Sequence, residues 1–162
     1  MADMFIRFDG VDGESQQEGY KNWIELSSFS MSSAAAGSTA VGGGSGVGKV
    51  SIHGVSFSTV AGKHTPAISM KYFAGKHFPK VEVVFVKLTG NEGGAAEKYY
   101  HLTMENVYVT SKSDGKSEGS LGSEQMSLTA ETYEQEYWAQ DEKGKLTSVG
   151  KTKYNEKTNV SS

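Results

Sequence analysis

The chain contains no cysteine. That excludes disulfides, a thiolate nucleophile and any cysteine-based metal site. It contains no apolar run approaching the ~20 residues that cross a bilayer as a helix, so no membrane partner is expected. Basic residues are not in excess: 16 Lys and Arg stand against 19 Asp and Glu, a net charge of −3. No stretch combines a Lys/Arg cluster with aromatics, so no nucleic-acid partner is expected. The opening MADMFIRFDG has neither a basic n-region nor an apolar h-region. Synthesis in the cytoplasm without a signal peptide is therefore expected, and any export would need a machine that reads no such signal.

Proline is also scarce, at 2 residues, whereas glycine reaches 20 and tyrosine and phenylalanine 8 and 7. Many glycines among many aromatics favour a β-rich domain with many turns. The length of 162 residues suits one domain spanning 1–162. A chain of this size buries about 68–70% of its unfolded surface, enough for a core without a metal or a disulfide.

Alternation and turn residues predict strands over 4–8, 23–31, 50–60, 81–88, 99–110 and 125–138, with a polar last strand over 151–160. In strand 50–60 the apolar positions run Ile52, then Val55 and Phe57, a slip in phase at Gly54. Strand 99–110 changes phase near Glu105 and Asn106, which predicts a bulge or bend. One helix is expected over about 66–74, with Thr65 as N-cap, Pro66 opening it and Gly75 closing it. Its packed face is read as Ala67, Ile68, Met70, Tyr72 and Ala74. The fold class is all-β dominated: a small β-barrel or two-sheet sandwich of about eight strands with one flanking α-helix.

The stretch GGGSGVGKV (42–50) fits G-x-x-x-x-G-K through Gly43, Gly48 and Lys49. A phosphate loop needs a Ser or Thr after the lysine to hold Mg²⁺ and a helix N-terminus to receive the anion. Here Val50 follows, and the residues after it alternate as a strand. The glycines are better read as part of a long, aperiodic loop over 32–48.

No catalytic, cofactor-binding or metal-binding constellation is legible. His53, His64, His77 and His101 share no metal-type spacing and have no carboxylate beside them in sequence, so polar surface or turn positions are expected. Asp9, Asp12 and Glu14 do not keep the spacing of a calcium loop. Glu134 and Glu136 read as a solvated strand face, and no G-x-S-x-G elbow occurs. The chain is not expected to be an enzyme. The competing readings are a small-ligand or glycan-binding β-barrel and a hydrolase with an unrecognised carboxylate pair.

Several segments, in order, resemble one family. They are MFIRFDGVDGES with its Gly13-Glu14-Ser15-Gln16, the serine-rich second strand running into GGGSGVGKV, and HTPAISMKYFAGKHFPKVEV. The long strands 99–110 and 125–137 follow. Together they resemble the haemolysin co-regulated protein (Hcp) family, the inner-tube subunit of type VI secretion. The family's tail pattern is Gly-Trp-Asn/Asp, an apolar residue and a later Asn. Here Tyr154, Asn155 and Asn159 keep the aromatic and both asparagines, while the glycine and the apolar residue are lost.

The resemblance implies a barrel that forms homohexameric rings. The rings stack into a hollow tube, which is capped by a spike protein of the valine-glycine repeat family and driven out by a contractile sheath. Small secreted effectors ride in the lumen. It implies that Ser28 and Ser30 face the lumen and the cargo. It further implies that the segment carrying Ala34, Ala35, Ala36, Gly37, Gly42, Gly43, Gly44, Gly46 and Gly48 is the extended loop reaching a neighbouring subunit or ring.

Overall fold

A computed structural model describes residues 2–38, 46–90 and 93–162, with the side chains of 36–38 and 46–49 left aside. In chain order the elements are β1 (Met4–Phe8), β2 (Ile24–Ser38), β3 (Gly46–Val60), α1 (Thr65–Ala74), β4 (Phe78–Leu88), β5 (Ala96–Gly115), β6 (Ser123–Gln140), β7 (Leu146–Asn155) and β8 (Val160–Ser161). All pairings are antiparallel, in the order β3-β2-β1-β4-β5-β6-β7-β8, and β3 also pairs with β6. That last pairing closes β1, β2, β3, β6, β5 and β4 into a barrel, the architecture expected.

The barrel interior holds Phe8, Phe57, Phe78, Leu102, Met104 and Leu128, with Ile68 of α1 plugging it. Phe8 meets the edge of Phe78 at 4.9 Å between ring centres. The near-continuous apolar run of β4 is explained by burial on both faces. Val81 and Val83 point into the barrel, while Val84 and Val86 join Phe5 in a second cluster covered by Tyr20 and Trp23. The polar segment carrying those two aromatics is stitched down by its backbone. Gly13 N–H donates to Asn22 C=O, Asn22 N–H to Ser15 C=O, and Ser15 N–H to Trp23 C=O. A Cβ on Gly13 would stand 2.4 Å from the Trp23 carbonyl oxygen, so this glycine permits close chain approach rather than a turn.

The phase slip at Gly54 is real. Its φ is +115°, and a Cβ there would lie 2.4 Å from the carbonyl oxygen of Leu128. At the second expected phase change Asn106 takes φ +52°. The pairing runs through it without a shift, from Lys80–Glu105 to Phe78–Val107, so the two strands turn over together and no one-sided bulge forms.

Four expectations are corrected. Residues 32–38 and 46–48 are strand rather than aperiodic loop: β2 runs to Ser38 and β3 starts at Gly46, paired as far out as Ser38–Gly46, while 39–45 lie outside the described residues. Small residues hide a strand because they supply no alternation in hydropathy. The helix begins at Thr65, with His64 in the N-cap position. On the helix Met70 and Phe73 are 68% and 80% exposed and Ala74 is exposed, so only Ile68 is deeply buried. Finally, the expected strand 151–160 is split into β7 and β8 by a turn.

Candidate functional site

The face of β2, β3, β5 and β6 that points away from the core is built of hydroxyls. A bulge between Leu26 and Ser28 decides this. Before it, Ile24 and Leu26 are buried; after it, Ser28 and Ser30 are exposed, and Phe29 and Met31 pack towards the interior. The serines therefore do not share a face with Ile24 and Leu26, although their even numbering would put all four on one face of an unbroken strand.

Ser28 and Ser30 pair across the sheet with Ser58 and Ser56. Ser56 in turn pairs with Ser127 of β6, which pairs with Ser111 of β5. Ser28 and Ser58 hydroxyls are hydrogen-bonded, and those of Ser56 and Ser127 lie 3.0 Å apart. With Ser113 and Gln125 they line a shallow concavity of about 350 Å³. Such a surface offers both donors and acceptors, while Phe57 and Met126 at its floor are buried.

The second feature is a ribbon. β3 follows β6 only from Val60–Ser123 to Val55–Leu128, and β1 follows β2 only at Ile24 and Glu25. Beyond these points β2 and β3 continue together as two strands. Ala34, Ala35 and Gly37 pair with Ser51, Val50 and Val47, and Gly46 pairs with Ser38. Ala36 and Gly48 lie within the same strands. Gly42, Gly43 and Gly44 lie outside the described residues.

The third feature was missed in the sequence. His64, expected at the surface, is buried, and its Nε2–H donates to Glu124 Oε1 at 2.8 Å. Thr65 Oγ1 donates to the same oxygen at 2.9 Å. Lys112 Nζ stands 2.9 Å from Glu124 Oε2 as an ion pair rather than a well-directed hydrogen bond. Lys112 also meets Asp114 at 2.6 Å. Burial alone would lower the Lys112 pKa; the adjoining carboxylates of Asp114 and Glu124 outweigh it and raise the value. His64 and Thr65 lie 60 and 59 positions from Glu124 in sequence, so no local motif could reveal the cluster.

His101 also gains a carboxylate across the sheet. Lys98 Nζ donates to its Nδ1 at 3.0 Å, which places the ring proton on Nε2, donated to Glu82 at 3.2 Å. That hydrogen bond is the main reason the Glu82 carboxyl lies below its ordinary value; partial burial opposes it and Lys80 adds to it. Glu134, read as part of a solvated face, is half-buried and pairs with the exposed Lys151 at 3.0 Å. Among the described residues no three His, Asp or Glu side chains converge as a metal site. A further concavity of about 730 Å³ lies between Tyr20, Trp138 and the β6–β7 turn carrying Lys143 and Lys145.

A family model described as "Type VI secretion system effector, Hcp" matches residues 5–137. The chain belongs to the Hcp family. No curated protein sequence matches it. Among solved structures, Hcp1 from Salmonella typhimurium is 25% identical, with TM-score 0.78 and full coverage of both chains. A type six secretion system protein is 23% identical, with TM-score 0.89 and full coverage of both chains. A type VI secretion system effector from Yersinia pestis is 22% identical, with TM-score 0.72, covering 94% of this chain and 99% of its own. The Hcp match ends at Tyr137, so β7, β8 and the turn between them lie beyond it. Among the described residues no helix is long and apolar enough to cross a membrane.

Proposed function

We propose that this chain is a structural subunit of the type VI secretion inner tube, assembling as homohexameric rings that stack into a hollow tube. The tube is itself exported, capped by a spike and pushed by a contractile sheath, and small effectors travel in its lumen. The observation that carries the reading is the hydroxyl face around Ser28 and Ser30 on a barrel of the Hcp family. A wall of serines wets a channel without the adhesion of an apolar wall or the selectivity of a charged one.

Self-assembly is supported by apolar side chains left in solvent on separate elements. Met70 and Phe73 sit on α1, Leu121 on the β5–β6 turn, and Leu88 at the end of β4. A closed head-to-tail ring needs two different surfaces of this kind on each subunit. The β2–β3 ribbon serves as the arm that reaches a neighbour. Its small residues, Ala34 and Ala35 among those described, allow close approach of a partner backbone.

Light scattering tests the assembly: a ring mass at micromolar concentration supports it, and a monomer over a wide concentration range refutes it. Ser30→Gln tests the lumen: rings should persist while co-purification of a small effector falls. Unchanged retention in intact rings would remove the cargo role. One observation favours a second reading, a glycan-binding barrel: the Tyr20–Trp138 concavity has an aromatic wall. Under that reading the protein stays monomeric, and Trp138→Ala abolishes glycan binding.

A further inference from the structure

The β2–β3 ribbon leaves the barrel at a fork. One edge of β6 pairs with β3 from Ser123 to Leu128 and with β7 from Thr132 onward. Between these spans β3 and β7 diverge, and the backbone of β3 beyond Val55 loses its partner on that side. Two of the exposed groups are nevertheless satisfied, both by side chains of the tail. Tyr154 Oη donates to the Val50 carbonyl at 2.8 Å, and Ile52 N–H donates to Glu156 Oε1 at 3.1 Å. Both tail residues are half-buried, and Tyr154 packs against the barrel core.

The tail turn is in turn held by its asparagines. Asn155 Oδ1 accepts from Thr158 N–H at 2.9 Å, and Asn159 N–H donates to Asn155 C=O at 2.8 Å. Asn159 sits at φ +65°, a left-handed conformation that asparagine tolerates better than other non-glycine residues. The turn brings the Asn159 side-chain amide onto the Tyr154 hydroxyl. One phenolic proton cannot serve two acceptors. Flipping the Asn159 amide, which presents Oδ1 to the phenol, turns its NH₂ towards Tyr154 Oη, and the chain of hydrogen bonds then runs Asn159 to Tyr154 to Val50.

We propose that Tyr154 and Glu156, set by Asn155 and Asn159, are positioning residues that aim the β2–β3 ribbon for assembly between subunits. The inference rests on the reading of that ribbon as an inter-subunit arm. A two-stranded ribbon alone is marginal in water. Fixing it at Val50 and Ile52 extends the rigid part of β3 past the barrel rim and sets the direction of everything beyond.

The test uses the full chain carrying Tyr154→Phe with Glu156→Leu, and separately Glu156→Gln, which keeps an oxygen acceptor for Ile52 N–H. Amide exchange is followed in dilute, unassembled protein, and assembly by light scattering against concentration. The double variant should keep the thermal midpoint of the barrel. It should speed exchange of the Ile52 amide and its ribbon neighbours at least tenfold, and raise the concentration needed for assembly about tenfold. Glu156→Gln should behave like the parent in both. Unchanged exchange at Ile52 in the double variant would overturn the latch. A defect in Glu156→Gln equal to that of the double variant would place the effect in the charge of Glu156 and also overturn it. Faster exchange with unaltered assembly would overturn the link to assembly and count against the arm, while leaving the hydrogen bonds at the fork established.

Discussion

His64 Nε2 lies 2.8 Å from Glu124 Oε1, with both side chains almost fully buried at one end of the barrel. The contact joins the residue before α1 to the start of β6, and Lys112 joins the same carboxylate from β5. Glu124→Ala removes the shared partner, strips His64 and Thr65 of their buried acceptor and leaves Lys112 with Asp114 alone. Breaking a buried ion pair in this way costs about 3–5 kcal/mol. Urea denaturation should show that loss at an unchanged slope. Glu124→Gln, which keeps an acceptor for His64 and Thr65, should cost less.

Gly54 should tolerate no side chain. Gly54→Ala brings a Cβ against the Leu128 carbonyl at a backbone angle that L-residues avoid, on the pairing that closes the barrel. The expected loss is about 3 kcal/mol or more, combining backbone strain with overpacking. Gly10→Ala is the control. Gly10 has φ +77° and open space around it, so only the conformational cost of about 1 kcal/mol applies.

The pH dependence of stability should have two identifiable limbs. Glu82 has a folded pKa below its ordinary 4.5, first because His101 donates to it. Its contribution is complete above 4.5 and disappears as pH falls through the depressed value. Glu82→Gln should flatten the acid limb of a denaturation midpoint against pH. Tyr100 and Tyr133 are raised above 10.0 chiefly by burial, and Lys112 is raised above 10.5 by its carboxylate partners against the effect of burial. Their contributions hold below those values and are lost as pH rises through the folded ones. Lys112→Met should therefore shrink the alkaline limb.

The ribbon can be shortened without disturbing its base. Replacing residues 38–46 by Asn-Gly would close a tight hairpin on the Gly37–Val47 pair, with the turn chemistry a two-residue loop requires. The barrel should unfold at its parental denaturant concentration, and assembly should fail. Normal ring stacking by this variant would refute the arm.

Lys49→Ala should change nothing in nucleotide affinity, because the chain should have none to lose. β3 runs unbroken through Gly48 and Lys49 to Val60, so no helix N-terminus follows the glycines. Calorimetric titration with ATP and Mg²⁺ should give no heat of binding for either protein.

The amino-acid sequence by itself determined the elements with strong hydropathy contrast. VEVVFVKL could only be a buried strand, Pro66 and Gly75 bracket a helix, and the slip from Ile52 to Val55 marks Gly54. The order of weak motifs along the chain also placed it in its family, because each motif answers a local demand such as a close approach at Gly13.

Only the tertiary structure decided what local pattern cannot carry. Ala34 to Gly37 pair as a strand although their side chains supply no alternation, since it is the backbone of β3 that holds them. Ser28 and Ser30 face outward because a bulge after Leu26 reverses parity, and a bulge depends on the partner strand as much as on its own residues. His64 became a buried hydrogen-bond donor because the closed barrel brings a carboxylate 60 residues away to within 2.8 Å. Tyr154 and Glu156 acquired a role because β3 and β7 diverge along one edge of β6, a relationship among three strands that their sequences do not contain separately.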